Sequence, residues 1–155
     1  MIQNAAESPM PEESPGYDED LYAWALANAR HLRNGALDKV DATNIAEELE
    51  DMGKSERRAL GSHIRVLLTH LLKWAYQPGL RSPSWRLSIR NARDQIGRIL
   101  EASPSLRREL PEVVEREYPR ARAYAADETG LPLEGLPEGA PFGMEQMLDE
   151  AFLPG

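Results

Sequence analysis
The sequence predicts an all-α protein: a single helical bundle of five to six helices around one central apolar helix. Three observations carry that prediction. Residues 60–76, LGSHIRVLLTHLLKWAY, are apolar around most of a 3.6-residue helical circumference, so this helix belongs inside the protein. No stretch alternates apolar and polar residues as a half-buried strand does. No unit of 20 to 50 residues recurs, which sets solenoids and arrays aside.

Taken in order, residues 1–16 hold Pro9, Pro11, Pro15 and Gly16 among acids with almost nothing to bury, and are predicted to form a disordered acidic arm. They have neither the basic nor the apolar region of a secretory signal. The folded domain is expected over 17–155. A first helix is predicted to open at Asp18, with Leu21, Ala25, Ala29 and Leu32 on its apolar face, Trp24 beside them and a stop at Gly35. Tyr17 is placed to staple onto its first turn. Asp41 caps a second helix whose apolar positions Ile45, Leu49 and Met52 continue in phase into Leu60, Leu67 and Trp74. A long helix with a bend or break near Gly53 is expected, ending at Pro78 and Gly79.

Ser84 is the predicted cap of the next helix, which is apolar at Trp85, Ile89, Ala92, Ile96, Ile99 and Leu100. Ser103 and Pro104 start a turn, and Pro111 restarts a helix through Val113, Val114, Tyr118, Ala121 and Tyr124 to Gly130. Pro119 inside that run is expected to kink or split it. The segment LPLEGLPEGAPFG from Leu131 predicts an extended Pro/Gly-rich arm. A short helix over 144–149 follows, with Phe142, Phe152 and Leu153 as plugs for the open edge of the bundle.

Composition narrows the function classes. A chain of 155 residues suits one domain, and no apolar run is long enough to span a bilayer. Absence of cysteine removes disulfides, thiolate nucleophiles and cysteine-based zinc sites, and fits a soluble cytoplasmic protein. The net charge of −8 hides three blocks: residues 1–53 hold 3 basic against 12 acidic residues, 54–108 hold 12 against 3, and 109–155 hold 3 against 11. A basic centre between acidic ends suits a self-neutralising bundle, and overall acidity opposes non-specific binding to nucleic acid.

The phrases YDEDLYAWA (17–25), IAEELEDMGKSERRAL (45–60), LLTHLLKWAYQP (67–78), SWRLSIRNAR (84–93), SPSLR (103–107), ETGLPLE (128–134) and the closing LDEAFLP resemble, in order and spacing, a bacterial family. It is number twenty-nine among the domains of unknown function. The resemblance covers roughly residues 17–154 and implies an all-helical bundle, with no activity, cofactor or site residue to carry over. Pro119 departs from the pattern, which has a helix-compatible residue there.

Three constellations carry possible chemistry. Glu56, His63 and His70, at steps of seven, stay within a ~40° arc of one helix face. They are candidates for acid–base work or metal binding, but ~10.5 Å of rise between the histidines is too far for two ligands of one ion from one helix. The preferred reading is a buried histidine hydrogen-bonded to a carboxylate or carbonyl, with no metal or cofactor. Lys73 beside His70 is a candidate nucleophile, though a lysine on a core helix usually carries its charge to the edge. Asn44, Glu47, Glu48, Glu50, Asp51 and Ser55 form a polar stripe, read as the wet face of a helix rather than a divalent-cation site.

Arg86, Arg90 and Arg93 line one side of the predicted third helix within a ~60° arc. They are candidates for binding an anion or nucleic acid, against a preferred reading in which they pair with acidic helices. Trp24, Trp74 and Trp85 are read as packing. No phosphate-binding loop, dinucleotide fingerprint, zinc-protease motif, nucleophile elbow or helix-turn-helix signature is present. The function this supports is a non-catalytic intracellular interaction module that binds a protein partner or itself. The alternatives are an enzyme using Glu56, His63 and His70, or a nucleic-acid binder using Arg86, Arg90 and Arg93.

Overall fold
A computed structural model describes residues 14–155; the predicted arm at 1–16 lies almost wholly outside the described residues. Five α-helices and four short 3-10 turns make up the regular structure, with no strand among the described residues. Helices α1 (Leu21–Arg33), α2 (Ala42–Tyr76), α3 (Pro83–Ala102), α4 (Leu110–Thr129) and α5 (Met144–Leu148) follow the order expected from the sequence. The contacts gather into two compact units, 1–51 and 52–155, and α2 contributes residues to both.

In the first unit a polar network joins α1 to the start of α2. Asp41 accepts Trp24 Nε1–H at 3.0 Å and both the main-chain N–H (3.2 Å) and side-chain amide (2.7 Å) of Asn44. These donors hold the Asp41 carboxyl below its usual range, Asn44 first and Trp24 next. Asn28, itself buried, receives the Asp41 N–H at 2.8 Å and donates to the Trp24 carbonyl at 3.0 Å. One aspartate is thus both N-cap and interhelical tie. Tyr17 packs edge-on to Trp24 at 4.9 Å, and its hydroxyl donates to Glu48, which pushes its pKa up to about 12.

The second unit is built on the latter half of α2. Leu60, Ile64, Leu67, Leu68, Leu71 and Leu72 have no more than 1% of their surface exposed, and the other core residues are Trp74, residues of α3 and α4, Leu106 between those two helices, Leu136 and Met147. Direction follows from the side-chain pairs. Arg57 reaches Glu109 and Glu112, Arg65 reaches Glu117, Thr69 reaches the Ala121 carbonyl and Lys73 reaches Glu128. Both series ascend together, so α2 and α4 run parallel. Helix α3 begins beside Lys73, whose ammonium lies 4.6 Å from the Trp85 ring centre, and leads to Glu109 beside Arg57. It therefore runs antiparallel to both.

Some boundaries differ from the sequence expectation, each for a local reason. The α1 cap is Asp20, not Asp18: three successive acids can each cap, but a turn on the Gly16 carbonyl takes up Asp18 and Glu19. The α3 cap is Ser82, not Ser84, because Pro83, without an N–H, sits best in the first helical turn. Helix α2 continues through Gly53 and α4 through Pro119. Pro119 lies on an exposed face, where water can take the carbonyl left without a donor. Gly130, at φ +73°, ends α4 as expected.

The arm after Gly130 has almost no regular hydrogen bonding of its own, so its carbonyls need other donors. Arg122 supplies them to Leu133 and Leu136, and Tyr118 to Pro137 at 2.7 Å. Burial pushes the Tyr118 hydroxyl up to about 12, so it remains a donor at any ordinary pH. Phe142 meets Phe152 edge-on, and Leu136 and Met147 enter the core.

Leu68→Ala and Leu71→Ala should each cost about 2 to 5 kcal/mol, since helices on several sides leave little room to collapse into the cavity. Losses below about 0.5 kcal/mol by denaturant unfolding would place this stretch at the periphery. Gly53, helical, exposed and with open space where a Cβ would stand, gives the opposite sign. Gly53→Ala should add about 0.5 to 1 kcal/mol. A destabilised alanine variant would show that this glycine is needed for a distortion of the helix.

Candidate functional site
The sequence candidates separate into three environments. Glu56 and His63 are half-buried, and neither shares a hydrogen bond or ion pair with His70 among the described residues. His70 donates Nδ1–H to the Val66 carbonyl at 2.8 Å, one turn back on its own helix, which leaves Nε2 as the acceptor in the neutral ring. Its partner is thus a backbone carbonyl rather than Glu56. Among the described residues no three His, Asp or Glu side chains converge as a metal site would require.

Lys73 is only 6% exposed and is committed to neighbours: it pairs with Glu128 and lies over Trp85. It closes a polar line, Arg65, Thr69, Lys73, along the α4-facing side of α2. At the other end of that line Glu117, 5% exposed, receives Arg65 at 3.3 Å and Arg116 at 3.1 Å. Gly61 makes room for it, because a Cβ there would stand 2.9 Å from Arg116 and 3.0 Å from Glu117.

The three α3 arginines do not act together. Arg93 is buried, and its guanidinium donates to the carbonyls of Met147 (2.8 Å), Phe152 (2.9 Å) and Gln146 (3.1 Å). It clamps the end of the chain. Burial lowers its pKa, against the opposing charges of Asp149 and Glu150.

Arg86 and Arg90 instead remain exposed and line a cleft of about 670 Å³ with Arg81, Trp74, Ser82, Pro83 and Leu87. Arg81 donates Nε–H to the Trp74 carbonyl at 2.8 Å. The guanidinium carbons of Arg81 and Arg86 lie 5.2 and 5.5 Å from the Trp74 ring centre, within cation–π range. No carboxylate of the described residues forms an ion pair with Arg81, Arg86 or Arg90. By contrast, Arg57, Arg65, Lys73 and Arg116 all have one.

The family model described as Domain of unknown function DUF29 matches residues 17–153. The chain belongs to that family. No match was found among curated proteins or among solved structures. The match names no activity, and the site in this DUF29 chain rests on its own geometry. No described helix is long and apolar enough to cross a membrane.

Two further clefts adjoin these residues. One, of about 770 Å³, shares Arg86 and Arg90 but adds Arg93 with Asp94 and Glu150, which balance part of its charge. The other, of about 480 Å³, is lined by Lys54, Arg57, Arg58, Ser62, Arg65, Arg116, Arg120 and Glu117, and much of its positive charge is already paired. Sequence reasoning missed Arg81 and Trp74 as parts of the first cleft. Arg81 falls in the PGLRS turn, off the helical stripe, and the only signal was its place one residue before the α3 cap.

The environment of His70 generates a pH prediction. Burial lowers its pKa below 6.5, outweighing the Val66 hydrogen bond, with Lys73 lowering and Glu128 raising it further on. As pH falls, the unfolded chain therefore binds the proton first. The stabilising contribution is present above about 6.5 and is lost as pH falls through the folded pKa. Between about pH 7 and 5, the melting temperature of the parent should fall more steeply than that of His70→Gln. Equal slopes would mean that the imidazole is not desolvated.

Proposed function
We propose that this chain is a non-catalytic interaction module whose α3 cleft receives an acidic segment of a protein partner. The observation that carries the reading is the set of three exposed guanidiniums, Arg81, Arg86 and Arg90, gathered over an apolar floor without a carboxylate of the described residues. Guanidinium forks match carboxylates geometrically. Trp74, Pro83 and Leu87 offer contact to an apolar side chain between those carboxylates. A peptide with alternating acidic and apolar residues fits both features, and the overall charge of −8 disfavours a nucleic-acid backbone.

The test is titration of the full chain with short peptides of glutamate interleaved with leucine or tyrosine, against single-stranded oligonucleotides of matched charge. Heat or anisotropy reports binding. Saturable, salt-sensitive peptide binding is expected, weakened at least about tenfold by Arg86→Glu combined with Arg90→Glu. Because both side chains are exposed, that variant should keep the parent's helical content. Tighter binding of the oligonucleotide, lost in the same variant, would replace this reading with a nucleic-acid one, and no saturable binding of either would remove the cleft as a site.

A further inference from the structure
Helix α1 is apolar on two sides, and the described residues of the first unit cover only one. Trp24, Ala27 and Asn28 face inward. On the other side Leu21, Tyr22, Leu26 and Leu32 are 53%, 77%, 54% and 47% exposed, and Ala25 between them is exposed as well. The sequence places Leu21, Ala25, Ala29 and Leu32 on one apolar face, and the structure leaves Leu21, Ala25 and Leu32 exposed and Ala29 half-buried. Together with Tyr22 and Leu26 they span a ~140° arc. Tyr22, Ala25, Ala29 and Leu32 also stand at the 3-4-3 spacing of a helix-pairing seam. A helix apolar on this much of its surface is half of a larger packing unit.

We propose that this face binds the same face of a second copy of the chain, the two α1 helices lying antiparallel about a two-fold axis. The charges around the seam choose that partner and direction. Asp18, Glu19 and Asp20 stand at one end of α1, and Arg30 and Arg33 stand in its last turn with no carboxylate partner among the described residues. Antiparallel pairing sets the acids of each copy against the arginines of the other at both ends, whereas parallel pairing opposes like charges at both ends. Tyr22 then meets Leu32 of the other helix and Ala25 meets Ala29, so the small residues fall at the centre, where the backbones approach most closely. The contact is isologous, as a two-fold dimer requires. It involves none of the α3 cleft and does not rest on the peptide-binding reading.

Light scattering and sedimentation of the full chain from about 1 to about 200 µM should show a concentration-dependent dimer. Leu26→Glu should weaken it at least about tenfold while the circular dichroism and melting of the monomer stay as in the parent, since the side chain is exposed there. Arg30→Glu with Arg33→Glu, and Asp18→Arg with Glu19→Arg, should each weaken self-association, and mixing the two variants should restore a dimer. Orientation is read by thiols, because the chain has no cysteine of its own. Ala25→Cys mixed with Ala29→Cys should give the crossed disulfide under mild oxidation faster than either variant alone links to itself. A monomer throughout the range would overturn the proposal, as would a dimer indifferent to Leu26→Glu, or Ala25→Cys linking to itself fastest. A monomer whose melting falls on Leu26→Glu would show that the face is covered within one chain, which also overturns it.

Discussion
The second unit depends on the need to cover α2 between Leu60 and Trp74. Leucines and an isoleucine at nearly every angle of that helix each favour burial by roughly 1.5 to 3 kcal/mol, and one partner helix cannot reach them all. Helix α3 covers one side and, running back, delivers α4 to another, where it lies parallel to α2. Leu136 and Met147 then enter from the C-terminal arm. That arm lacks the repeating hydrogen bonds of a helix, so its order rests on donors from the bundle: Arg122 and Tyr118 for its first part, Arg93 for its last. The arm covers part of the core, and the bundle satisfies its backbone in return.

Apolar contact alone does not fix how far α4 slides along α2. The polar line Arg65, Thr69, Lys73 does. Its partners Glu117, the Ala121 carbonyl and Glu128 climb α4 in the same order, and Glu117 is buried between two arginines in space left by Gly61. Sliding by one turn would take that buried carboxylate away from Arg65 and leave it Arg116 alone, and removing one partner of a buried pair costs up to about 3 to 5 kcal/mol. The pairs therefore contribute more to register than to net stability. Among the described residues every buried side-chain nitrogen and oxygen has a partner, so the seam adds no unsatisfied group.

Much of this was legible in the sequence because it rests on local chemistry. The apolar circumference of 60–76 marked the core helix, Gly35 and Gly130 marked helix ends, and Asp41 marked a cap, each a property of one short window. What the sequence left open depends on residues far apart along the chain. The acid that meets Arg65 lies 52 residues away, and His70 finds a carbonyl of its own helix rather than Glu56. Periodicity identifies an apolar stripe on α1 without saying which of two stripes is covered; Trp24 and Asn28, tied to Asp41, turn their own side inward. The α3 stripe divided because Arg93 sits one turn further along, beneath the α5 segment, where three carbonyls already engage its guanidinium.

Charge placement supports a binding role for the cleft beyond the count of arginines. Helix α4 supplies Glu112, Glu117 and Glu128, and Glu109 stands just before it, so the cations facing α4 are matched one after another. Arg81 and Arg86 lie at the other extreme, around the N-terminus of α3, where the helix dipole is positive and a cation is disfavoured by about 0.3 to 1 kcal/mol. Folding alone would select an acid there. The ring of Trp74 offsets part of the penalty by cation–π attraction, but it also holds both guanidiniums in place over an apolar surface. A local arrangement that works against helix stability and is held in place by its neighbours is what the proposed site for an anionic partner requires, since on that proposal the carboxylates these arginines lack would come from the partner.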